Sequence, residues 1–271
     1  MFKQEFILNN EGKDILILAG IHGNELTPIY TLIKFIKYGF VTSIKNKYIR
    51  RITVINCVNQ PAIVSKTRGI REIDLNRLFD SEAIAKQLEI RDKITKEIDN
   101  HYAVIDLHSY GSKNINQEIV LINNNDQAQR YVEFCKLTGL HFALQNEYQH
   151  SLKQYALNNN KIAFTIELSG TNKINIKSAY QGIHIIATIL ENIQTFEFNH
   201  NVTLKKYTDD YCLIHLNAEH DGLFVDNMLM DFSGNILENY NIHKNIIFNT
   251  VHDFVNKGDY CVSIQPNIDY Q

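Results

Sequence analysis

The segment ILAGIHGNELTP, residues 17–28, sets His22 and Glu25 close together where an apolar run stops. Gly20, Gly23 and Asn24 suffice to turn the chain there, so the histidine and the glutamate are not needed for the turn. Three other apolar runs end in comparable fashion. RITVINC leads to Arg68, Arg71, Asn76 and Arg77, YAVIDLHS ends in His108, and IAFTIELSG ends in Glu167. A lone histidine or glutamate after a strand is ordinarily a solvated or capping residue; the joint occurrence is what points to a site. Two histidines and one carboxylate suit a catalytic zinc, which takes three protein ligands and keeps a fourth position for water. The short H-x-x-E spacer can come from one loop, while His108 must arrive on a neighbouring strand. A closed structural zinc site would need four Cys or His in two close pairs, and a helix-borne protease site would need HExxH; the sequence has neither.

Groups so far apart in sequence meet only if the fold brings the ends of several strands to one edge. In open parallel sheets ligands bind beyond the carboxyl ends of the strands, where loops and helix N-termini converge. Short apolar runs alternating with longer amphipathic ones predict such a sheet, covered by helices, up to about residue 196. Strands are expected over residues 14–19, 51–56, 102–107, 118–122, 141–145 and 162–167. Thr27 reads as an N-cap and Pro28 as the first position of a helix continuing through 29–38. Asp80 or Ser81 opens a charged helix to about residue 100, and 126–137 and 176–196 read as helices too. Beyond Phe196 the texture changes to short pieces, YCLIHL, GLFV, NIIFNTV and YCVSIQ, separated by turn residues. The expected organisation is a catalytic α/β domain over residues 1–199 and a small β-rich domain over residues 200–271.

Composition narrows the partners. A chain of 271 residues can build a real core without staples, and Cys57, Cys135, Cys212 and Cys261 form no CxxC pair, which predicts reduced thiols in the cytoplasm. The first ten residues carry no export pattern, and apolar stretches such as residues 15–21 are too short to span a bilayer, so no membrane association is expected. A formal charge of −3 argues against a nucleic-acid footprint and for a small-molecule partner. A homo-oligomer is compatible with all of this.

GIHGNE, RGIREIDLNRLF, DLHS and TIELSG, in that order and at these separations, resemble the succinylglutamate desuccinylase/aspartoacylase family, relatives of the zinc carboxypeptidases. The similarity extends to about Phe196, and HGNE together with DLNR carries most of its specificity. DGLF and VNKGDY in the last part are similar, more loosely, to the family's β-rich appendage. The resemblance implies an α/β fold with a mixed, mostly parallel sheet. It implies one Zn2+ per chain held by His22, Glu25 and His108, and Glu167 as general base and acid. Arg68 corresponds to the arginine that polarises the scissile carbonyl, with Arg71 as the alternative, while Asn76 and Arg77, with Arg71 nearby, grip the substrate carboxylate. The chemistry is coherent: zinc lowers the pKa of bound water to about 7, a carboxylate carries the proton to the departing amine, and a guanidinium stabilises the oxyanion.

The implied function is a zinc-dependent amidohydrolase cleaving the N-acyl amide of a small carboxylate-bearing substrate. Its rivals are a zinc carboxypeptidase acting on short peptides, which a β domain over the cleft would disfavour, and a metal-binding protein without turnover. One departure bears on specificity. Aspartoacylase-like members have an arginine about ten residues before the catalytic glutamate for a second carboxylate, where this chain has Leu157 and Asn158. N-acetylaspartate is therefore expected to be a poor substrate unless Lys153 or Lys161 supplies the charge. Asp106 is a candidate to support His108 from behind. Asp74 either orients Arg77 or caps a turn, and nothing chooses among Tyr110, Tyr148 and Tyr180 as substrate contacts. The remaining histidines belong to no constellation and read as surface or core residues.

Overall fold

The computed structural model describes residues 2–71, 73–79, 85–110 and 118–198, together with the backbone of seven short strands between residues 214 and 264. The first part is built on a seven-stranded mixed sheet in the order β1-β3-β2-β4-β7-β5-β6. Its strands are β1 (Lys3–Ile7), β2 (Lys13–Ala19), β3 (Ile49–Ile55), β4 (Ala103–Tyr110), β5 (Ile119–Asn123), β6 (Phe142–Gln145) and β7 (Ile162–Ser169). The central strands β3, β2, β4 and β7 run parallel. They read as continuous apolar runs because helices cover the sheet, and Ile15 to Ala19 of β2 are wholly buried.

Two features make the sheet mixed, as the family resemblance implies. Strand β1 was not anticipated: it pairs antiparallel with β3 at the sheet edge, and its alternating exposed and half-buried residues give no apolar run to read. Strand β5 runs antiparallel to β7 and carries β6 parallel to itself, so that side of the sheet is reversed.

The helices are α1 (Leu26–Lys37), α2 (Phe40–Ser43), α3 (Gln60–Ser65), α4 (Ala85–Asp99), α5 (Ala128–Thr138), α6 (Leu152–Asn158), α7 (Ile176–Asn192) and α8 (Thr195–Phe198). Helix α1 starts earlier than its sequence predicts. Glu25 is its N-cap, and Thr27 lies inside the first turn, where its hydroxyl is shared between the carbonyls of Gly170 and Lys173, both at 3.1 Å, and accepts the Asn175 N–H. That hydroxyl ties the start of α1 to the loop before α7. The Asp80 or Ser81 cap expected for α4 lies outside the described residues. Helices α1 and α7 pack together, burying Leu32 and Phe35 of one and Ile186, Ile189 and Leu190 of the other. Phe134, Phe164 and Phe196 form an aromatic cluster, with ring centroids 5.0 to 5.4 Å apart, that pins α5 and α8 to β7. No described helix is long and apolar enough to cross a membrane.

Beyond residue 200 the described backbone is entirely strand. One four-stranded sheet has the order β11-β10-β9-β13 and one three-stranded sheet the order β12-β14-β8, all antiparallel. These strands are β8 (Ile214–Asn217), β9 (Gly222–Val225), β10 (Met228–Met230), β11 (Ile236–Asn239), β12 (Ile246–Asn249), β13 (Phe254–Val255) and β14 (Tyr260–Ile264).

Candidate active site

Strand β2 ends at Ala19, and the chain turns through Gly20 with a left-handed φ of 82° before presenting His22. Gly23 is required next: a Cβ there would lie 2.0 Å from the backbone carbon of Ala62, so only glycine lets this turn lie on α3. Asn59, the N-cap of α3, donates its side-chain N–H to the Ile21 carbonyl at 3.2 Å and holds the turn from behind. Glu25 follows as the N-cap of α1 but does not cap its own helix; its carboxylate faces the end of β4. Strand β4 runs unbroken to Tyr110, so Asp106 and His108 point to one face, and His108 pairs in register with Glu167 on β7.

These elements gather His22, Glu25 and His108, whose ligand atoms lie within 4.8 Å of one another. All three side chains are buried. Glu25 Oε1 is 2.8 Å from His22 Nδ1, and Oε2 lies 3.1 Å from His108 Nδ1 and accepts the Ser109 N–H at 2.8 Å. The two Nδ1 atoms face each other at 3.1 Å. Each imidazole has a carboxylate on its other nitrogen: His22 Nε2 is 2.9 Å from Asp74 Oδ1, and His108 Nε2 is 2.9 Å from Asp106 Oδ2. This arrangement fixes both rings with Nδ1 turned to the common centre, as metal-binding histidines require.

The electrostatics agree. Burial would raise the Glu25 pKa, but the two imidazoles outweigh it and hold the carboxyl well below its ordinary range. Burial likewise opposes charging of the histidines, yet Glu25 leads the groups that raise His22, and Asp106 with Glu25 raises His108 well above the ordinary value. A buried cluster that gathers protons this way is one in which a divalent cation can displace them, because the ligating forms are neutral imidazole and carboxylate. The donor set therefore fits a zinc ion bound through two nitrogens and one carboxylate.

A cavity of about 290 Å³ opens over this centre. It is lined by His22, Glu25, His108, Glu167, Arg68, Asn76 and Arg77, which brings seven of the eight sequence-predicted residues together. Arg71 is the exception. A tight turn closed by the Ile73 N–H on the Ile70 carbonyl carries it at its tip, exposed and with φ 51°, outside the cavity lining. Gly69 permits that turn, since a Cβ at this position would meet the Ile73 carbonyl oxygen at 1.9 Å. Arg68, on the near side, reaches Asp74 Oδ2 with Nε at 3.0 Å and Glu25 Oε1 with Nη1 at 3.5 Å.

Asp74 caps the 3-10 turn Leu75–Arg77 by accepting the Asn76 N–H at 2.8 Å, so the capping expectation holds; its other partners are His22 and Arg68. Asn76 is anchored by accepting the Leu152 N–H at 2.8 Å, and the Arg77 guanidinium lies 4.7 Å from the centre of the Tyr148 ring. Of the three tyrosines, Tyr110 and Tyr148 line the cavity and Tyr180 does not. Glu167 is pushed up to about 7, chiefly by withdrawal from water, with Glu25 adding to the rise and His108 opposing it. Sequence reasoning did not find Thr165, Gln145 or Ser109 in the lining, because nothing in their local sequence distinguishes them from ordinary strand residues.

Comparison with known proteins gives the family and the fold. Two succinylglutamate desuccinylases, from Shewanella sp. W3-18-1 and Shewanella putrefaciens, are each 32% identical to this chain over 75 residues. That stretch is 28% of this chain and 21% of theirs, so the match spans about a fifth of the length of those relatives. Among solved structures, a succinylglutamate desuccinylase/aspartoacylase from Rhodobacter sphaeroides superposes with a TM-score of 0.69 at 14% identity, over 96% of this chain and 87% of that one. The product-bound ectoine utilization protein EutE (DoeB) from Ruegeria pomeroyi gives 0.67 at 13% identity, over 98% and 88%. The tripeptide-bound cell shape determinant Csd4 from Helicobacter pylori gives 0.52 at 20% identity, over 81% and 63%. These likenesses establish the zinc carboxypeptidase-like fold. Because the succinylglutamate desuccinylase/aspartoacylase catalytic domain matches residues 11–193, well over half of the chain, the protein belongs to that family.

Proposed function

We propose that the protein is a zinc-dependent amidohydrolase that cleaves the N-acyl amide bond of an N-acyl amino acid. The observation that carries this reading is the convergence, in one small cavity, of the His22–Glu25–His108 donor set with the Glu167 carboxyl and the Arg68 guanidinium. Zinc held by those three side chains would supply a Lewis acid able to activate water near neutral pH. Glu167 takes the proton from the attacking water and passes it to the amide nitrogen as the C–N bond breaks. A carboxyl near 7 suits both halves of that transfer. Arg68 donates to the carbonyl oxygen as negative charge develops there, an effect worth about 3 kcal/mol for a well-aimed donor. Arg77 offers its planar fork to the substrate carboxylate, with Asn76 beside it and Tyr148 orienting the guanidinium.

In this reading residues 1–199 form the catalytic domain, residues 200–271 form a small β-rich domain, and the protein acts in the cytoplasm. Purified, zinc-loaded protein should hydrolyse members of a panel of acetyl, succinyl and formyl derivatives of acidic, neutral and aromatic amino acids. A carboxypeptidase acting on short peptides is the second reading, favoured by the fold shared with the tripeptide-bound Csd4. Including di- and tripeptides in the panel separates the two. Zinc binding with no hydrolysis of any of these compounds would favour a metal-binding protein without turnover.

A further inference from the structure

The structure points to a residue that reads a second acidic group on the substrate, a point on which the deacylase reading is silent. The arginine expected for that task is missing, and neither residue at its place replaces it. Leu157 is buried and apolar, while Asn158 is exposed and accepts the Gln154 side-chain N–H at 3.0 Å. Lys161 is also occupied elsewhere, with Nζ donating to the Asp99 carbonyl at 2.7 Å. One turn before Leu157 on α6, however, stands Lys153.

Lys153 is only 5% exposed and lines the same cavity as His22, Glu25 and Glu167. A lysine is seldom buried so completely without a carboxylate partner. Among the described residues, its Nζ has the Leu121 carbonyl as hydrogen-bond acceptor and no ion-pair partner, although an ammonium carries three donors. Leu121 pairs with Thr165 on β7, which in turn pairs with Asp106 on β4, and all three line the cavity. That row lies two residues deeper in the sheet than the His108–Glu167 row, a step of about 6 to 7 Å. Lys153 is thus a donor at the cavity floor, below the level of the reacting groups. Asp106 shares this floor: its Oδ2 is engaged by His108, while its buried Oδ1 has no hydrogen-bond partner among the described residues and stands outside ion-pair distance of Lys153.

We propose that Lys153 forms a subsite for a second carboxylate of the substrate, one separated from the scissile amide by a short carbon chain. Two parts of a substrate have this chemistry: an acidic amino-acid side chain and the far end of a dicarboxylic acyl group. The proposal rests on the deacylase reading for the bond that is cleaved, but not for the binding of the anion. Withdrawal from water pushes the Lys153 amine down to about 7, opposed by Cys135, Asp106 and Glu147, with the Tyr131 ring 6.0 Å away. An arriving carboxylate favours the charged form.

The test compares matched acid and amide pairs in zinc-loaded wild type and Lys153→Met. For turnover the pairs are N-acetylglutamate with N-acetylglutamine, and N-succinylglutamine with its succinamoyl analogue. For binding, measured calorimetrically and independent of turnover, they are glutamate with glutamine and succinate with succinamate. Wild type should prefer the acid in one side-chain or acyl pair by about ten- to a hundredfold, the value of one charge-assisted hydrogen bond. Lys153→Met should bring that ratio near one, and Lys153→Arg should restore part of it. Thermal melting checks the fold of each variant, and Lys153→Gln carries the same test if the methionine variant does not fold. Equal treatment of acid and amide by wild type, or an undiminished preference in Lys153→Met, overturns the proposal. If nothing is hydrolysed but binding still shows a Lys153-dependent preference for the acid, the deacylase reading fails and the subsite stands.

Discussion

His22 and Asp74 meet across 52 positions of sequence, Nε2 to Oδ1 at 2.9 Å, while the other oxygen of the same carboxylate receives Arg68 Nε at 3.0 Å. One carboxylate therefore fixes the ring of a candidate zinc ligand and aims the guanidinium proposed for the carbonyl oxygen. Asp106 plays the first of these parts for His108. Asp74→Asn and Asp106→Asn should each weaken zinc binding by about ten- to a hundredfold, the usual cost of losing a carboxylate behind a metal-bound histidine. His108→Ala should hold no stoichiometric zinc after dialysis against a chelator. Metal analysis of the three variants checks this, and retention of one tightly bound zinc by His108→Ala would remove it from the ligand set.

Glu167→Gln should keep the fold and the metal but lose about a hundredfold to ten-thousandfold in kcat, since an amide cannot accept the proton. Steady-state kinetics beside metal content decides the matter. A variant within a few-fold of wild type would deny Glu167 its role.

Arg68 and Arg71, three residues apart, should separate cleanly. Arg68→Ala should lower kcat/KM by about a hundred- to a thousandfold, and Arg68→Lys should recover only part because a point charge cannot reproduce the fork. Arg71→Ala should remain near wild type, because Arg71 is exposed and does not line the cavity. A large loss in Arg71→Ala would reverse the assignment.

Asp14 at the start of β2 joins Arg50 and Arg51, with Arg50 Nε at 2.8 Å from Oδ1 and Arg51 Nη2 at 2.8 Å from Oδ2. The Arg50 hydrogen bond leads the groups that hold this carboxyl below its ordinary value, against the opposing effect of burial. The folded state thus favours the ionised form. Its contribution is complete above the unfolded-state pKa of about 4 and is lost as the pH falls through the lower folded value. With Arg50 half exposed, solvent screens the pair and its contribution is small. Urea melts should show Asp14→Asn less stable than wild type at pH 7, with the gap closing on acidification. A gap that persists unchanged at pH 2 would locate the effect in packing instead.

The sequence by itself determined the parts of this protein that are written locally. Continuous apolar runs marked the buried central strands, because a strand covered on both faces must be apolar throughout. Glycines and polar groups at the ends of those runs marked the edge where ligands gather, and HGNE, DLNR, DLHS and TIELSG carried the family. Tertiary structure decided what depends on contacts between distant segments. Strand β1 gives no apolar run because an edge strand lies half in water. The reversal of β5 and β6 leaves no trace in their composition, since a buried run is equally apolar in either direction. Arg68 and Arg71 have the same side chain, and only the turn at 70–73 sends one to the cavity and the other to solvent. Asp74 could be read as a turn cap, but its bond to His22 exists only once the 68–77 loop lies over the end of β2. Lys153 is one of many lysines in the sequence, and its burial at the cavity floor comes from α6 packing across β4 and β7.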